Sequence, residues 1–243
     1  MAPLTNNRRR LFVAAAAFAQ RLIAPSYCQH CHDYCPSSRL LCDRCGPALD
    51  SVPLPAPSEL DAIPVYSSGL HQGVLAQSVR ALKYSGATHL AQPLGQRMRM
   101  ALPAALARID VIVPVPLHAV RLAERGYNQS ALLARTLAKD LRIPLLATAL
   151  RRQRATLPQA HLGREQRCDN LRQAFAPADI TPGSRLLLVD DVITTGSTLR
   201  SCSDALRQAG GQVVCILTTT QAPLPPADAS RAPTDASVAL AVP

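Results

Sequence analysis

The sequence predicts an α/β fold: a parallel sheet flanked by helices, with a small cysteine module on its N-terminal side. Three observations carry this. Residues 185–219 read as strand, helix and strand joined by short links, and a unit of that kind sets its two strands parallel. A short β-rich run, Val111-Ile112-Val113-Pro114-Val115-Pro116, lies upstream between two helical patterns. Two Cys-x-x-Cys pairs, Cys28/Cys31 and Cys42/Cys45, stand ten residues apart near the N-terminus.

The elements follow in chain order. Residues 1–24 open with Arg8-Arg9-Arg10, then Leu11-Phe12-Val13 and an alanine run. This imitates a signal peptide, but it flows straight into Cys28, and export would expose the thiols to oxidation. A helix over 8–23, ended by Pro25, is the expectation. Residues 25–50 form the cysteine module, and 51–62 are proline-rich and read as a stiff linker.

The main domain is expected over 63–222. Val74, Leu75, Val79 and Leu82 recur at helical spacing across 71–83, and a second helical pattern covers about 89–107. From Asn128 onward, Leu132, Leu133, Leu137 and Leu141 mark one helix face, which Pro144 ends. Residues 145–150 suit a short strand, and 151–174 an arginine-rich mobile loop. Pro182-Gly183 turns into a strand at 185–189. A helix with Leu199, Cys202, Leu206 and Ala209 on one face follows, and Gly210-Gly211 ends it before a strand over 212–219. The Pro/Ala/Ser/Asp-rich stretch 223–243 is expected to be disordered.

Composition bounds the function. The chain has 243 residues, 48% hydrophobic but only 3% aromatic, so aliphatic side chains must fill the core. No apolar run reaches the roughly 20 residues of a membrane-spanning helix. A net charge of +10 suits anionic partners such as nucleic acid or phosphorylated small molecules, or is simply an arginine-rich composition. Of eight cysteines, four form the tight pairs. Cys202 and Cys215 fall within helix and strand patterns, where cysteine acts as a small hydrophobe. This usage points to a reducing compartment, the cytoplasm, and to a metal site.

The chemistry centres on Leu186 to Leu199. An apolar run ends in Asp190 and Asp191, and Thr194-Thr195-Gly196-Ser197-Thr198 leads into a helix. Adjacent carboxylates can accept hydrogen bonds from two neighbouring ribose hydroxyls. A small hydroxyl-rich turn at a helix start offers N–H groups to a phosphate, and Gly196 lets the backbone come close. The plain alternative is a buried strand with a capped helix, but two consecutive carboxylates there are costly unless used. The segment resembles the phosphoribosyl pyrophosphate signature of type I phosphoribosyltransferases. If transfer occurs, carboxylates near the anomeric carbon stabilise an oxocarbenium-like state and Mg²⁺ neutralises the departing pyrophosphate.

Three further groups bear on function. Pro114 to Leu117 with Arg121, Arg125, Gly126, Tyr127, Asn128 and Gln129 suits a pyrophosphate; a helix capped by Asn128 beside solvated arginines fits equally well. The stretch Thr156 to Phe175, with Gln159, Leu162, Arg164, Arg167, Asn170 and Ala174, reads either as a hood over the site or as a solvated basic helix. Cys28, Cys31, Cys42 and Cys45 suit a closed, structural Cys₄ zinc site, with Cys35, His30 and His32 as decoys or alternates; redox cysteines or a chance spacing are the other readings. Lys83 can reach a phosphate or merely favour a helix C-terminus.

Together these parts resemble the ComF family of competence proteins over about residues 20–220. The resemblance rests on the four cysteines, Leu82-Lys83-Tyr84, Pro114-Val115-Pro116-Leu117, Arg125-Gly126-Tyr127-Asn128-Gln129, Gln159-x-x-Leu162 with Arg167, Asn170, Ala174 and Phe175, and Val189 to Thr198. It implies a phosphoribosyltransferase-like domain behind a zinc finger. It also implies a cytosolic role in natural transformation, where imported single-stranded DNA is handled with helicase-type partners. Lys83, Arg125, Asn128 and Gln129 gain weight as site residues through it. Many relatives carry a further pair of cysteine motifs; here residues 46–66 hold no cysteine. Three functions are open: a competence-associated accessory protein that binds single-stranded DNA or protein partners, with phosphoribosyl pyrophosphate as a candidate ligand; an active phosphoribosyltransferase with a nucleobase or other acceptor; and a regulatory sensor that binds the sugar phosphate without turnover.

Overall fold

A computed structural model of the chain describes residues 27–28, 30–35, 41–104, 108–152, 175–177 and 180–222. The expected N-terminal helix, most of the 151–174 loop with Gln159, Leu162, Arg164, Arg167, Asn170 and Ala174, and the 223–243 tail lie outside these residues.

Seven strands and six α-helices are described. In chain order they are α1 (Cys45–Asp50), β1 (Ser58–Leu60), β2 (Ile63–Ser67), α2 (Gly73–Tyr84), α3 (Ala91–Ala101) after a 3₁₀ turn at Thr88–Leu90, β3 (Val111–Pro114), α4 (Ala119–Arg125), α5 (Gln129–Leu141), β4 (Leu150–Arg152), β5 (Phe175–Pro177), β6 (Arg185–Ile193), α6 (Ser197–Gln208) and β7 (Gln212–Gln221). The main sheet runs β1-β2-β7-β6-β3. All its neighbours are parallel except the β1–β2 hairpin, and β4 and β5 form a separate antiparallel pair.

The interior strand β6, between β7 and β3, is buried on both faces, which is why it reads as a continuous apolar run. Its side chains still alternate. Leu187 and Val189 join a core built with Leu75, Val79 and Leu82 of α2, Leu94 and Met98 of α3, and Leu133 and Leu137 of α5. Leu186 and Leu188 face Leu199, Cys202 and Leu206 of α6, with Val113 and Ile216. Each fully buried leucine contributes about 2 kcal/mol by leaving water.

Several expectations are corrected. The proline-rich linker is shorter than expected, because Ser58–Leu60 pairs with β2 as an edge strand. Helix α3 stops at Ala101 rather than near 107: Leu102 is extended (ψ 129°), as the residue before Pro103 tends to be. Helix α4 had no sequence signal, since it buries no residue. The strand expected at 185–189 continues to Ile193, with Asp190 in register with Thr218 and Val192 with Thr220. The short strand expected at 145–150 forms at Leu150–Arg152 instead.

The cysteine module packs against the main body. Leu49 of α1 joins the α2 core. The guanidinium of Arg97, 5% exposed, donates to the carbonyls of Asp50 and Val52 just past α1.

Candidate functional site

The carboxyl end of β6 brings the first set of expected residues together. Asp190 and Asp191 are 9% and 4% exposed, inside the strand rather than just beyond it. Strand pairing carries them into the interior, so each needs a compensating partner.

Asp190 Oδ1 accepts two hydrogen bonds, from Ser130 Oγ at 2.8 Å and from the Asp191 backbone N–H at 2.9 Å. Burial pushes its carboxyl up to about 7, and the Asp191 charge adds to this; Ser130, the Asp191 N–H and Lys83 act in the opposite direction. Asp191 is compensated mainly by charge. Lys83 Nζ, at the last turn of α2, lies 3.0 Å from its Oδ2. The contact is an ion pair rather than an aligned hydrogen bond.

Beyond Ile193 the chain turns through exposed Thr194 and Thr195 to Gly196, with φ of 75°, and enters α6 at Ser197. A Cβ on Gly196 would stand 2.6 Å from Leu60 Cδ1, so both the left-handed backbone and the space demand glycine. The first turn of α6 has N–H groups without intrahelical acceptors, and Ser197 and Thr198 lie there. Thr195 Oγ1 donates to Ser197 Oγ at 3.3 Å. Carboxylates, hydroxyls and a helix N-terminus thus meet at the carboxyl end of β6, where open α/β sheets receive ligands.

The basic block after β3 approaches from the other side. Arg125 donates to Gln129 Oε1 and stacks on the Tyr84 ring, 5.1 Å from its centroid. Gln129 is buried. The Asn128 side chain is engaged at both ends with the backbone. Its Oδ1 caps α5 by accepting from Ser130 N–H at 3.0 Å, and its Nδ2 donates to the Val115 carbonyl at 3.0 Å. Both ends of the amide serve the backbone, so Asn128 orients the helix that presents Ser130. Tyr127 packs inward and donates its hydroxyl to the Leu82 carbonyl at 2.5 Å.

A pocket of about 140 Å³ is lined by Asp190, Asp191, Lys83, Ser130, Arg152 and Thr198 among others. A wider cleft of about 400 Å³ shares Lys83, Tyr84, Arg121 and Arg125 with it. The smaller one holds the carboxylate pair and is the chemically informative space. Ser130 and Arg152 had no sequence signal. Ser130 reaches Asp190 from 60 residues away. Arg152 ends β4, and its charge is felt at Asp190 while burial lowers its own proton affinity. Nothing in the local pattern of either residue anticipates these contacts.

The four module cysteines also converge. The Sγ atoms of Cys28, Cys31, Cys42 and Cys45 all lie within 4.8 Å of one another. A tetrahedron with Zn–S bonds of about 2.3 Å has edges of about 3.8 Å, and Cys31 and Cys42 are 3.6 Å apart. All four thiols are free of disulfides. The backbone N–H of Cys45 and then of Arg44 pull the Cys42 thiol down to about 6, whereas burial and the neighbouring thiols push Cys45 up to about 12, so the case for a metal rests on the geometry of the four sulfurs. The donor set therefore fits a structural metal, with four sulfurs and no place for substrate. Cys35 is buried beside the cluster but is not part of it.

Comparison with known proteins identifies the family of the chain. Residues 107–232 match the phosphoribosyl transferase domain. Competence protein F of Haemophilus influenzae is 44% identical over 104 residues, 42% of this chain and 45% of that protein. DNA utilization protein YhgH of Escherichia coli K12 is 30% identical over 79% of this chain and 90% of that protein. YhgH of Salmonella typhi is 34% identical over 74% and 84%. The chain belongs to the ComF family of phosphoribosyltransferase-like proteins.

Proposed function

We propose that the carboxyl end of β6 and the N-terminus of α6 bind phosphoribosyl pyrophosphate or a related sugar phosphate, and that the protein serves the handling of single-stranded DNA in natural transformation. The observation that carries the ligand reading is the buried pair Asp190 and Asp191 directly before the Gly196 turn and the N-terminus of α6. In this reading the carboxylates hold the ribose 2′ and 3′ hydroxyls. Thr194, Thr195, Gly196, Ser197 and Thr198 receive the 5′-phosphate. Lys83, Arg125 and Gln129 serve the pyrophosphate end, where Mg²⁺ would neutralise charge. Asn128 contributes by orienting α5.

The DNA role is supported by the names of the relatives from Haemophilus and Escherichia and by the net charge of +10. It places the protein in the cytoplasm beside a helicase-type competence protein. No helix among the described residues is long and apolar enough to cross a membrane. Residues 25–50 are read as a zinc-finger module held by Cys28, Cys31, Cys42 and Cys45, and 63–222 as the phosphoribosyltransferase-like domain, with β1 as its N-terminal extension. Zinc would supply the folding energy of the module.

Calorimetric titration with phosphoribosyl pyrophosphate and Mg²⁺ tests the site. Binding by the wild type and its loss in Asp190→Ala/Asp191→Ala, with the fold retained, is expected; equal affinity in both would sink the assignment. The same ligand offered with a panel of nucleobases separates the roles. Base-dependent pyrophosphate release identifies a transferase, whereas binding without turnover identifies an accessory protein or sensor.

A further inference from the structure

Ser130 has no place in the functional reading above, yet it is 1% exposed and makes the closest side-chain contact to the carboxylate pair. It sits in the first turn of α5. The Asn128 side chain caps its N–H, so its backbone is held where the hydroxyl meets Asp190 Oδ1 at 2.8 Å. The Asp191 N–H donates to the same oxygen at 2.9 Å. Two donors converging on Oδ1 fix the carboxylate plane and leave Oδ2 as the oxygen available to a ligand.

The surroundings of Asp190 give that hydroxyl a second consequence. Asp191, on the same strand, opposes the charged form, and Lys83 of α2 favours it. Arg152 of β4 and the buried Cys202 thiol of α6 also face Asp190. From β7 its register neighbour is Thr218, which does not titrate. Ser130 is the neutral side chain in this set that donates directly to Asp190, beside the Asp191 backbone N–H.

We propose that Ser130 is a positioning residue for the sugar-phosphate site: its hydroxyl orients Asp190 and holds it as a charged acceptor for a ribose hydroxyl. This rests on the ligand reading above. A hydrogen bond to a carboxylate stabilises the ionised form. Without it, Asp190 keeps its proton to higher pH and competes poorly for the sugar at neutral pH.

The test compares wild type, Ser130→Ala and Ser130→Thr by calorimetry with phosphoribosyl pyrophosphate and Mg²⁺ between pH 6 and 9. A parallel ¹³C NMR titration follows the Asp190 carboxyl in the ligand-free proteins. Ser130→Ala is expected to bind roughly tenfold more weakly at pH 7, the effect of one lost charge-assisted hydrogen bond. It should recover to within about twofold of wild type at pH 9, with Ser130→Thr restoring binding throughout. In NMR, the Asp190 midpoint should move up in Ser130→Ala only. A Ser130→Ala protein with unchanged binding, or with the same loss at every pH, overturns the proposal. So does an unmoved Asp190 midpoint. If the wild type does not bind the probe at all, the ligand reading falls by that result, and the NMR titration alone decides whether Ser130 controls Asp190.

Discussion

Lys83 and Asp191 form an ion pair at 3.0 Å in which the aspartate side chain is 5% exposed and the lysine 19%. They come from different elements, and the pair ties the last turn of α2 to the interior strand β6. Breaking a buried pair from one side leaves an uncompensated charge. Lys83→Met keeps the aliphatic stem and removes only the ammonium. We expect it to lower stability by about 2–3 kcal/mol in a urea titration at pH 7. A loss under about 0.5 kcal/mol, the range of exposed pairs, would mean that water already screens the contact.

Asp190 makes stability depend on pH in the opposite sense to an ordinary paired carboxylate. Its folded-state carboxyl sits at about 7 because burial and Asp191 oppose its charge, whereas an unfolded aspartate titrates near 3.9. Between these values the folded state holds more protons, so this group's contribution is present below about pH 4 and lost as pH rises toward about 7. Asp190→Asn removes the titration. The melting temperature of wild type relative to Asp190→Asn should therefore be higher at pH 5 than at pH 8. A difference that is flat across this range contradicts the assigned direction.

Gly196 carries two separable constraints, a φ of 75° and a 2.6 Å approach of Leu60 Cδ1 to the site of a Cβ. Gly196→Ala should destabilise by about 1–2 kcal/mol through the left-handed backbone alone, with the clash added. In a Leu60→Ala background the same substitution should cost less, because only the backbone share remains. Equal costs in both backgrounds would show that Leu60 moves aside freely. A double-mutant cycle from chemical denaturation reads the difference.

The cysteine cluster predicts one zinc per chain by metal analysis. Cys28→Ser should lose it, and Cys35→Ser should retain it, since Cys35 is buried beside the cluster without belonging to it. Zinc-free wild type, or equal loss in both variants, would contradict the four-sulfur site.

How far these features could be read from the sequence depended on how locally they are encoded. Helix α6 and strand β7 were legible because apolar spacing and Gly210-Gly211 mark them within a few residues. The acidic pair was legible as chemistry but misplaced as structure. Its position inside β6 depends on pairing with Thr218 and Thr220 of β7, which no local pattern reports. Strand β1 was hidden among prolines, since hairpin pairing with β2 defines it. Asn128 had two readings, and only the positions of Val115 and Ser130 decide for the cap. Ser130 and Arg152 were invisible because their relevance lies wholly in Asp190, brought near by the fold.

Arg97 gives the cysteine module a meaning that a linker drawn as a tether does not. One buried guanidinium holds the carbonyls at Asp50 and Val52 against α3, while Leu49 sits among the α2 side chains. Trimming the chain to begin at 63 would not free an autonomous domain. It would bare a hydrophobic seam and take away both carbonyl acceptors of the Arg97 guanidinium. Chelation should propagate the same way: pulling a metal from the four sulfurs slackens the wall of the helix whose far end carries Lys83 to Asp191. Heat-capacity scans should accordingly show the two regions melting as one peak when metal is bound.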